Sequence, residues 1–483
     1  MFNKVLIANR GAIATRIIRT LNKMQIGSVA VYAESDAKSL HVKRADEAFS
    51  LGEGGASDTY LDMEKILRIA KQSGAQAIHP GYGFLSENAS FVRRCEEEGI
   101  AFIGPTAEQM MAFGLKHSAR ELAQKANVPL SPGSALLTDL NSACQIASEI
   151  GYPVMLKSTA GGGGIGMHLC HDEKGLRDSF DSVRRLGANN FADDGVFLEK
   201  FIARARHIEV QIFADGKGKA LALGERDCSS QRRNQKVVEE CPAPNLTDEV
   251  RQQLHQTAEL LLSSVQYRNA GTVEFIYDMD TEKFYFLEVN TRLQVEHGVT
   301  EMVYGVDLVE WMIRLAAGEE LALDSKRAEL KPNGHAVQVR IYAEDPYKEF
   351  QPCAGLLSQV QWPVDSDSFS IRIDSWIEMG IEVSPYFDPM LAKVIVHQND
   401  RDAAFKKLKA TLDNCVLYGT ETNLDYLKNL VIDPVLLRGE VSTRYLNQFV
   451  YQPARIDVLS GGTQTTLQDF PVERERDGKV YWV

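Results

Sequence analysis

The first hundred residues switch repeatedly between two periodicities. Short β-branched runs, KVLIAN (4–9), SVAVYAE (28–34), AQAIHPG (75–81) and IAFIGP (100–105), are separated by helical stretches, RGAIATRIIRTLNKM (10–24), MEKILRIAKQSG (63–74) and ASFVRRCEEEG (89–99). Strands joined through helices cannot form hairpins with one another. The pattern therefore predicts a parallel sheet with helices on its faces, an α/β fold. Loops that carry function in such sheets lie at the carboxyl ends of the strands. Here those are NRG (9–11) and HPGYGFLSEN (79–88).

A length of 483 residues allows roughly three domains of about 150 residues each. A second unit spans about 115–203 and a third, richer in strands, about 204–334. A fourth begins near Pro332–His335 and ends near residue 450. Beyond Tyr451-Gln452-Pro453 the run IDVLSGGTQTTLQDFP starts a new strand pattern, read as the cut-off opening of another domain. The net charge of -13 argues against nucleic acid as the main partner. It leaves room for a local basic cleft. No apolar run approaches the roughly 20 residues that span a bilayer, and the amino terminus enters a fold element without a signal-peptide pattern. The seven cysteines are scattered, with no CxxC pair, which suits a reducing, cytoplasmic setting.

The segment KSTAGGGGIGMHL (157–169) places five glycines in six positions directly after the apolar run GYPVML. A flexible linker would read this way, and so would a loop closing over phosphates. No GK[ST] follows the glycines, so the segment is not a Walker loop. Glycine permits positive φ and close backbone approach to a phosphate, and Lys157 stands at the entry.

FYFLEVNTRLQVEH (284–297) carries the densest polar pattern. If extended throughout, it points Glu288, Asn290, Arg292, Gln294 and Glu296 to one face, with Phe284 and Phe286 on that same side. Such a stripe is also what the solvated face of an antiparallel sheet looks like. The upstream strand GTVEFIYD and the turn MDTEK argue for more. With Asp278 opposite Phe284, Glu274 falls opposite Glu288. Like charges in that position destabilise a hairpin, and a bound cation reverses the sign. Two carboxylates with substrate phosphates are the usual setting for Mg2+.

Gln231-Arg232-Arg233-Asn234-Gln235-Lys236 is rich in donors. A solvated loop pairing with acids would read this way, but in a net acidic chain a concentrated basic loop between strands points first to an anion. His207, Glu209 and Gln211 alternate on one strand. A single histidine there is more often packed than liganding. Lys116 opens a helix, where lysines are usually solvated. Arg340 lies in a β-branched strand, where arginine is often a surface residue.

Together the motifs ANRG (8–11), HPGYGFLSEN (79–88), GGGGxGM (161–167), RHIEVQ (206–211), ERDCSxQRR (225–233), QKVVEExPAP (235–244), EVNTRLQVEH (288–297), RIYAEDP (340–346) and YGTETNL (418–424) resemble the biotin carboxylase component of biotin-dependent carboxylases, an ATP-grasp fold. Their joint order and spacing, over residues 1 to about 450, is specific where each alone is weak. The resemblance implies an amino-terminal biotin carboxylase domain (1–114) and an ATP-grasp domain (115–334) with a glycine-loop lid (about 130–203). A mixed α/β carboxy-terminal domain (335–450) and the truncated start of a carboxyltransferase domain (451–483) would follow. It implies ATP contacts from Lys116, Lys157, Gly162, Gly163, Gly164, Gly166, Glu199, Lys200, His207, Gln231 and Asn234. Glu274, Glu288 and Asn290 would hold Mg2+, with Mn2+ as an alternative. Lys236, Arg292, Gln294 and Val295 would form a bicarbonate pocket. Glu296 would be the general base, and Arg340 would stabilise the biotin enolate. Bicarbonate would attack the ATP γ-phosphate to give carboxyphosphate and ADP, and the CO₂ released would carboxylate biotin presented on a carrier domain.

Four positions depart from the acetyl-CoA and pyruvate members of this family. They are Ile165 (usually arginine), Asn234 (histidine), Ala12 (glutamate) and Gly298 (proline). These variants, and the tail, resemble urea carboxylase and its guanidine-using relatives. The chain then reads as a piece of a longer enzyme that also holds the carrier and carboxyltransferase domains, with a homodimer left open. Competing readings are the same half-reaction in an acyl-CoA or pyruvate carboxylase, a biotin-independent ATP-grasp carboxylate–amine ligase, and a non-enzymatic ATP-binding module.

Overall fold

The parallel sheet predicted at the amino terminus forms with five strands, in the order Glu47–Gly52, Gly27–Ala33, Lys4–Ile7, Ala77–His79, Ala101–Phe102. The computed structural model describes residues 1–159, 166–191, 194–363 and 370–451, and the strands 456–460, 463–467, 473–476 and 479–482. Helices Gly11–Lys23, Met63–Ser73 and Ala89–Glu97 connect the strands. Asp62 and Asn88 cap the second and third of these by accepting the N–H groups of Lys65 and Phe91, as short polar side chains do at helix starts. The edge strand Glu47–Gly52 is the one the sequence pattern misses. Only Leu51 within it is buried, so it lacks the apolar run that marks its neighbours.

The two loops at the carboxyl ends of the strands are tied together. The Asn9 amide donates to the carbonyls of Pro80 (2.6 Å) and Tyr82 (2.8 Å). Gly81 lies at φ +64° with Asn9 directly over its Cα, so a side chain has no space there. Arg10 makes a bidentate ion pair with Asp36 (2.6 Å for both bonds) and lies between the rings of Trp376 and Phe387, 4.8 and 4.7 Å from their centroids. That contact locks the amino-terminal sheet onto the carboxy-terminal part of the chain.

Two buried histidines lie in this region. Burial pushes His41 down to about 4 and His79 down to about 3. The fold excludes a proton that the unfolded chain binds near 6.5. Stability is complete above that pH and is lost as the pH falls toward 4, by about 1.4 kcal/mol per pH unit for each histidine. Urea midpoints at pH 7.5, 6.0 and 5.0 should fall accordingly, and less steeply in His41→Gln. Midpoints independent of pH over this range would contradict the assignment.

A second, eight-stranded sheet is antiparallel throughout. Its order is Lys283–Asn290, Arg268–Asp278, Ala205–Asp215, Ala220–Arg232, Gln235–Cys241, His335–Tyr342, Met390–Gln398, Ile371–Ser375. It crosses the boundary expected at residue 334, because Gln235–Cys241 pairs directly with His335–Tyr342. One apolar cluster, with Ile208, Val210, Leu254, Leu261 and Phe275, packs under the first half. Another, with Val337, Val394, Phe405 and Leu408, packs under the second.

A small three-stranded sheet, Met167–Cys170, Val154–Ser158 and Val196–Lys200, packs on helices Leu140–Ile150 and Glu173–Phe191 around its own core of Leu156, Phe180 and Leu198. This is the region read as the lid. Gly162, Gly163, Gly164 and Ile165 lie outside the described residues. Gly166 has φ +77°, and its carbonyl accepts the Ser158 N–H at 2.8 Å. The tail forms two hairpins, Ile456–Ser460 with Thr463–Leu467 and Glu473–Arg476 with Lys479–Trp482.

Candidate active site

The polar stripe is not one strand. The strand Lys283–Asn290 ends at Asn290, and Glu296 stands immediately before the helix His297–Tyr304. The register near the turn is also displaced by one residue, with Asp278 opposite Lys283 and Tyr277 opposite Phe284. An irregularity between Phe286 and Glu288 then restores the expected pair, Glu274 opposite Glu288. An extra residue at a bulge reverses which side chains share a face. Phe284 and Phe286 therefore join Val289 in the core, not the polar face assigned to them by alternation.

Past the strand, the 291–296 turn folds its side chains back over the sheet. Lys236 lies at the centre. Its ammonium donates to Glu296 Oε1 (2.6 Å), Glu209 Oε2 (2.7 Å) and Glu274 Oε1 (3.0 Å). Burial opposes its charge, yet the three carboxylates hold its pKa well above the ordinary value. Glu296 Oε2 accepts from Arg340 Nη2 at 3.0 Å, and Arg340 Nε donates to Glu239 at 2.5 Å. Burial would raise the Glu296 pKa, but Lys236, Arg340 and Arg226 hold it far below the carboxylate range. Glu296 is thus ionised at every working pH.

Glu274 also accepts from the amides of Gln294 (2.8 Å) and Asn290 (2.9 Å), and its second oxygen lies 2.8 Å from His207 Nε2. The other ring nitrogen of His207 lies 2.8 Å from the Gln231 amide. Arg292 donates to Asn290 Oδ1 (2.8 Å) and to Glu87 (2.9 Å) in the loop 79–88. The carbonyl of Val295 accepts from Lys393 at 2.7 Å. The structure therefore gathers Lys236, Glu274, Asn290, Arg292, Gln294, Val295, Glu296, Arg340, His207 and Gln231 into one polar site.

The residues expected to contact ATP are brought together in part. Glu199 pairs with Lys157 and, at 2.5 Å, with Arg120. Lys116 is close enough to Lys157, Glu288 and Glu199 to feel their charges; burial and then Lys157 lower its pKa. Lys200 points elsewhere. Its ammonium donates to the Gly151 carbonyl (2.7 Å) and its N–H to the Pro132 carbonyl (2.7 Å). Its side chain is thus committed to the turn that leads into the strand Val154–Ser158. Asn234 sits with Arg233 in a two-residue hairpin loop, at φ +66° and +50°. Asparagine tolerates this left-handed region. Of the basic loop, Arg232 is bonded to Glu344 (2.7 Å) and stacked on Phe350, and Arg233 meets Glu349 at the surface. Arg232 and Arg233 are thus spent on neighbouring acids, while Gln231 and Lys236 turn inward.

The donor set fits Mg2+. Glu288 is raised first by burial and next by Glu274 across the strand pair, a crowding that a divalent cation relieves. Carboxylate and amide oxygens are hard ligands. His207, Glu209 and Glu274 also bring potential ligand atoms within 4.8 Å of one another, but there the Lys236 ammonium already supplies the positive charge.

Sequence patterns missed several participants. Glu239 and Arg226 are fully buried. Glu87 anchors Arg292 from the loop 79–88, which the sequence marks as functional without giving Glu87 a role. Cys228, fully buried, lies 3.9 Å from Glu296.

Three family descriptions match the chain. They are "Biotin carboxylase, N-terminal domain" over 1–110, "Carbamoyl-phosphate synthase L chain, ATP binding domain" over 116–324, and "Biotin carboxylase C-terminal domain" over 338–448. Biotin carboxylase 2 of Bacillus subtilis is 47% identical over 93% of this chain and 100% of its own length. The chain belongs to the biotin carboxylase family. Its ATP-grasp fold and enzyme class, an ATP-dependent ligase, follow from that membership. Among biotin carboxylases, a solved biotin carboxylase domain dimer of the Hydrogenobacter thermophilus 2-oxoglutarate carboxylase, in complex with MgADP, ADP and bicarbonate, has a TM-score of 0.85 and 42% identity. The match covers 93% of this chain and 98% of that one. A urea amidolyase of Saccharomyces cerevisiae is 52% identical over the whole chain, which spans 26% of that relative's length. No helix among the described residues is long and apolar enough to cross a membrane.

Proposed function

We propose that this biotin carboxylase uses ATP and bicarbonate to carboxylate the ureido nitrogen of biotin, as the first half-reaction of a urea carboxylase. The observation that carries the reading is the Glu296 carboxylate shared by the Lys236 ammonium and the Arg340 guanidinium. A base, a cation for an anionic nucleophile and a cation for an enolate converge on one point.

Lys236, Arg292, Gln294 and the backbone at Val295 hold bicarbonate, and Glu296 takes its proton. As Lys236 and Arg340 turn toward the incoming anions, Glu296 loses two neutralising partners and becomes a stronger base. Lys116, Lys157 and the backbone of Gly162, Gly163, Gly164 and Gly166 hold the ATP phosphates. Lys157 leaves Glu199 to do so. Glu199, Lys200, His207, Gln231 and Asn234 line the nucleotide, with Lys200 acting through its backbone. Mg2+ or Mn2+ held by Glu274, Glu288 and Asn290 would neutralise phosphate oxygens as the γ-phosphoryl group moves. Arg340, gripped from behind by Glu239, keeps its outer nitrogen for the biotin enolate oxygen.

The acceptor class rests on the 52% identity to a urea amidolyase and on Ile165, Asn234, Ala12 and Gly298; guanidine is the second candidate. Two of these residues have local reasons. Ala12 is packed in the same core cluster as Trp376, and a Cβ at Gly298 would overlap the Ile395 Cδ1 methyl. Domain limits of 1–114, 115–334, 335–450 and 451–483 stay our assignment, as do a carrier and a carboxyltransferase domain in the same polypeptide, a homodimer and a cytoplasmic location. The seven free cysteines support that location.

The test is ADP release with and without bicarbonate and free biotin. Release should require bicarbonate and rise with biotin. A requirement for an amine, with indifference to biotin, would favour a carboxylate–amine ligase. Arg340→Ala should lose most of the biotin stimulation while keeping bicarbonate-dependent ATP cleavage. Unchanged biotin carboxylation would remove Arg340 from the enolate role.

A further inference from the structure

Behind the bicarbonate pocket lies a charged row of which the proposed reaction uses only Arg340. In register across three strands stand Arg340, Lys393 and Asp374. Lys393 is fully buried and directly opposite another cation, a pairing that destabilises a sheet unless something opposes it. Asp374 supplies part of the compensation, at 3.5 Å from the Lys393 ammonium. Asp374 is itself shared, since Arg372 chelates it through two nitrogens (2.7 and 3.0 Å) and also reaches Glu301 (2.6 Å). The one hydrogen bond Lys393 makes among the described residues is to the Val295 carbonyl, at 2.7 Å. Burial pushes the ammonium down to about 8, with Asp374 opposing that shift. A well-packed apolar side chain would be less costly at such a position.

We propose that Lys393 is a positioning residue for bicarbonate: its ammonium, seated between Arg340 and Asp374, grips the Val295 carbonyl and sets the 294–296 turn. The grip has two consequences. It fixes the peptide between Val295 and Glu296, and with it the direction in which the Glu296 carboxylate leaves the backbone. It also polarises that peptide, which makes the Glu296 N–H a stronger donor toward an anion in front of it. The side chains of the turn are held separately, Arg292 by Glu87 and Asn290, and Gln294 by Arg226 and Glu274, while the Val295 carbonyl is held by Lys393. His297 adds one contact from the helix side, its Nδ1 lying 2.6 Å from the Gln294 carbonyl. Glu239 clamps Arg340 from one side of the site, and Lys393 clamps the turn from beneath it.

This inference rests on the bicarbonate pocket proposed above. The experiment is steady-state ADP release by the full chain and by Lys393→Met, with bicarbonate and MgATP varied separately. The expected result is a KM for bicarbonate raised by about tenfold, the loss typical of a hydrogen bond from a charged donor, with the KM for MgATP within twofold of the parent. If Lys393→Met does not fold, Lys393→Gln decides by the same split, because it retains a donor without the charge. An unchanged bicarbonate KM, or two KM values rising together, overturns the inference while leaving the pocket in place. A parent chain whose ADP release ignores bicarbonate overturns the pocket itself, and this inference with it.

Discussion

Glu296→Gln should lower bicarbonate-dependent ADP release by on the order of 10²–10⁴-fold, the range for removal of a positioned general base. ATP affinity should stay within a few-fold, because Lys116, Lys157 and Glu199 do not contact Glu296. The glutamine keeps the volume and one oxygen acceptor for Lys236 (2.6 Å in the parent), and Lys236 retains Glu209 and Glu274. Initial rates with a coupled ADP assay, beside calorimetric titration with ATP, separate the two effects. A fall of less than tenfold would place the base elsewhere. A parallel loss of ATP binding would make Glu296 a structural residue.

The largest effect on stability is expected at Arg226. This side chain is fully buried and makes five hydrogen bonds. They run to Glu209 (2.5 Å), Gln211 (2.8 Å), Gln294 (2.9 Å), Thr300 (3.0 Å) and Thr272 (3.3 Å). Arg226→Met should cost about 3–5 kcal/mol, because it strips Glu209 of one of its two cations and orphans several buried oxygens. A drop in the urea midpoint reads this directly. Adding Glu209→Gln should recover part of the loss, since the two residues are in contact and their effects do not add. A single variant within 1 kcal/mol of the parent would show that the network has slack.

The amino-terminal sheet was legible because each strand and helix there carries its own periodicity. The motif-bearing residues of the site were legible because their spacing matches a family. What stayed hidden was set by distant pairing. Glu87 reaches Arg292 from a different domain, and Glu239 meets Arg340 only because Gln235–Cys241 and His335–Tyr342 are neighbours. The register slip near the 279–282 turn was hidden for a related reason. Alternation counts residues, and a bulge adds one without leaving a mark in the pattern. Arg232 and Arg233 misled in the opposite sense, since a cluster of like charges in sequence says nothing about the acids that fold against it.

The continuous eight-stranded sheet limits how this protein can be cut. Ending a recombinant fragment at residue 334 would follow the sequence motifs, yet it would strip Gln235–Cys241 of one of its two neighbours and leave a row of open amides and carbonyls along that edge. Naked strands of that length recruit other chains. Such a fragment should be harvested as aggregate, and any truncation meant to isolate nucleotide binding has to keep the strands His335–Tyr342 and Met390–Gln398 attached.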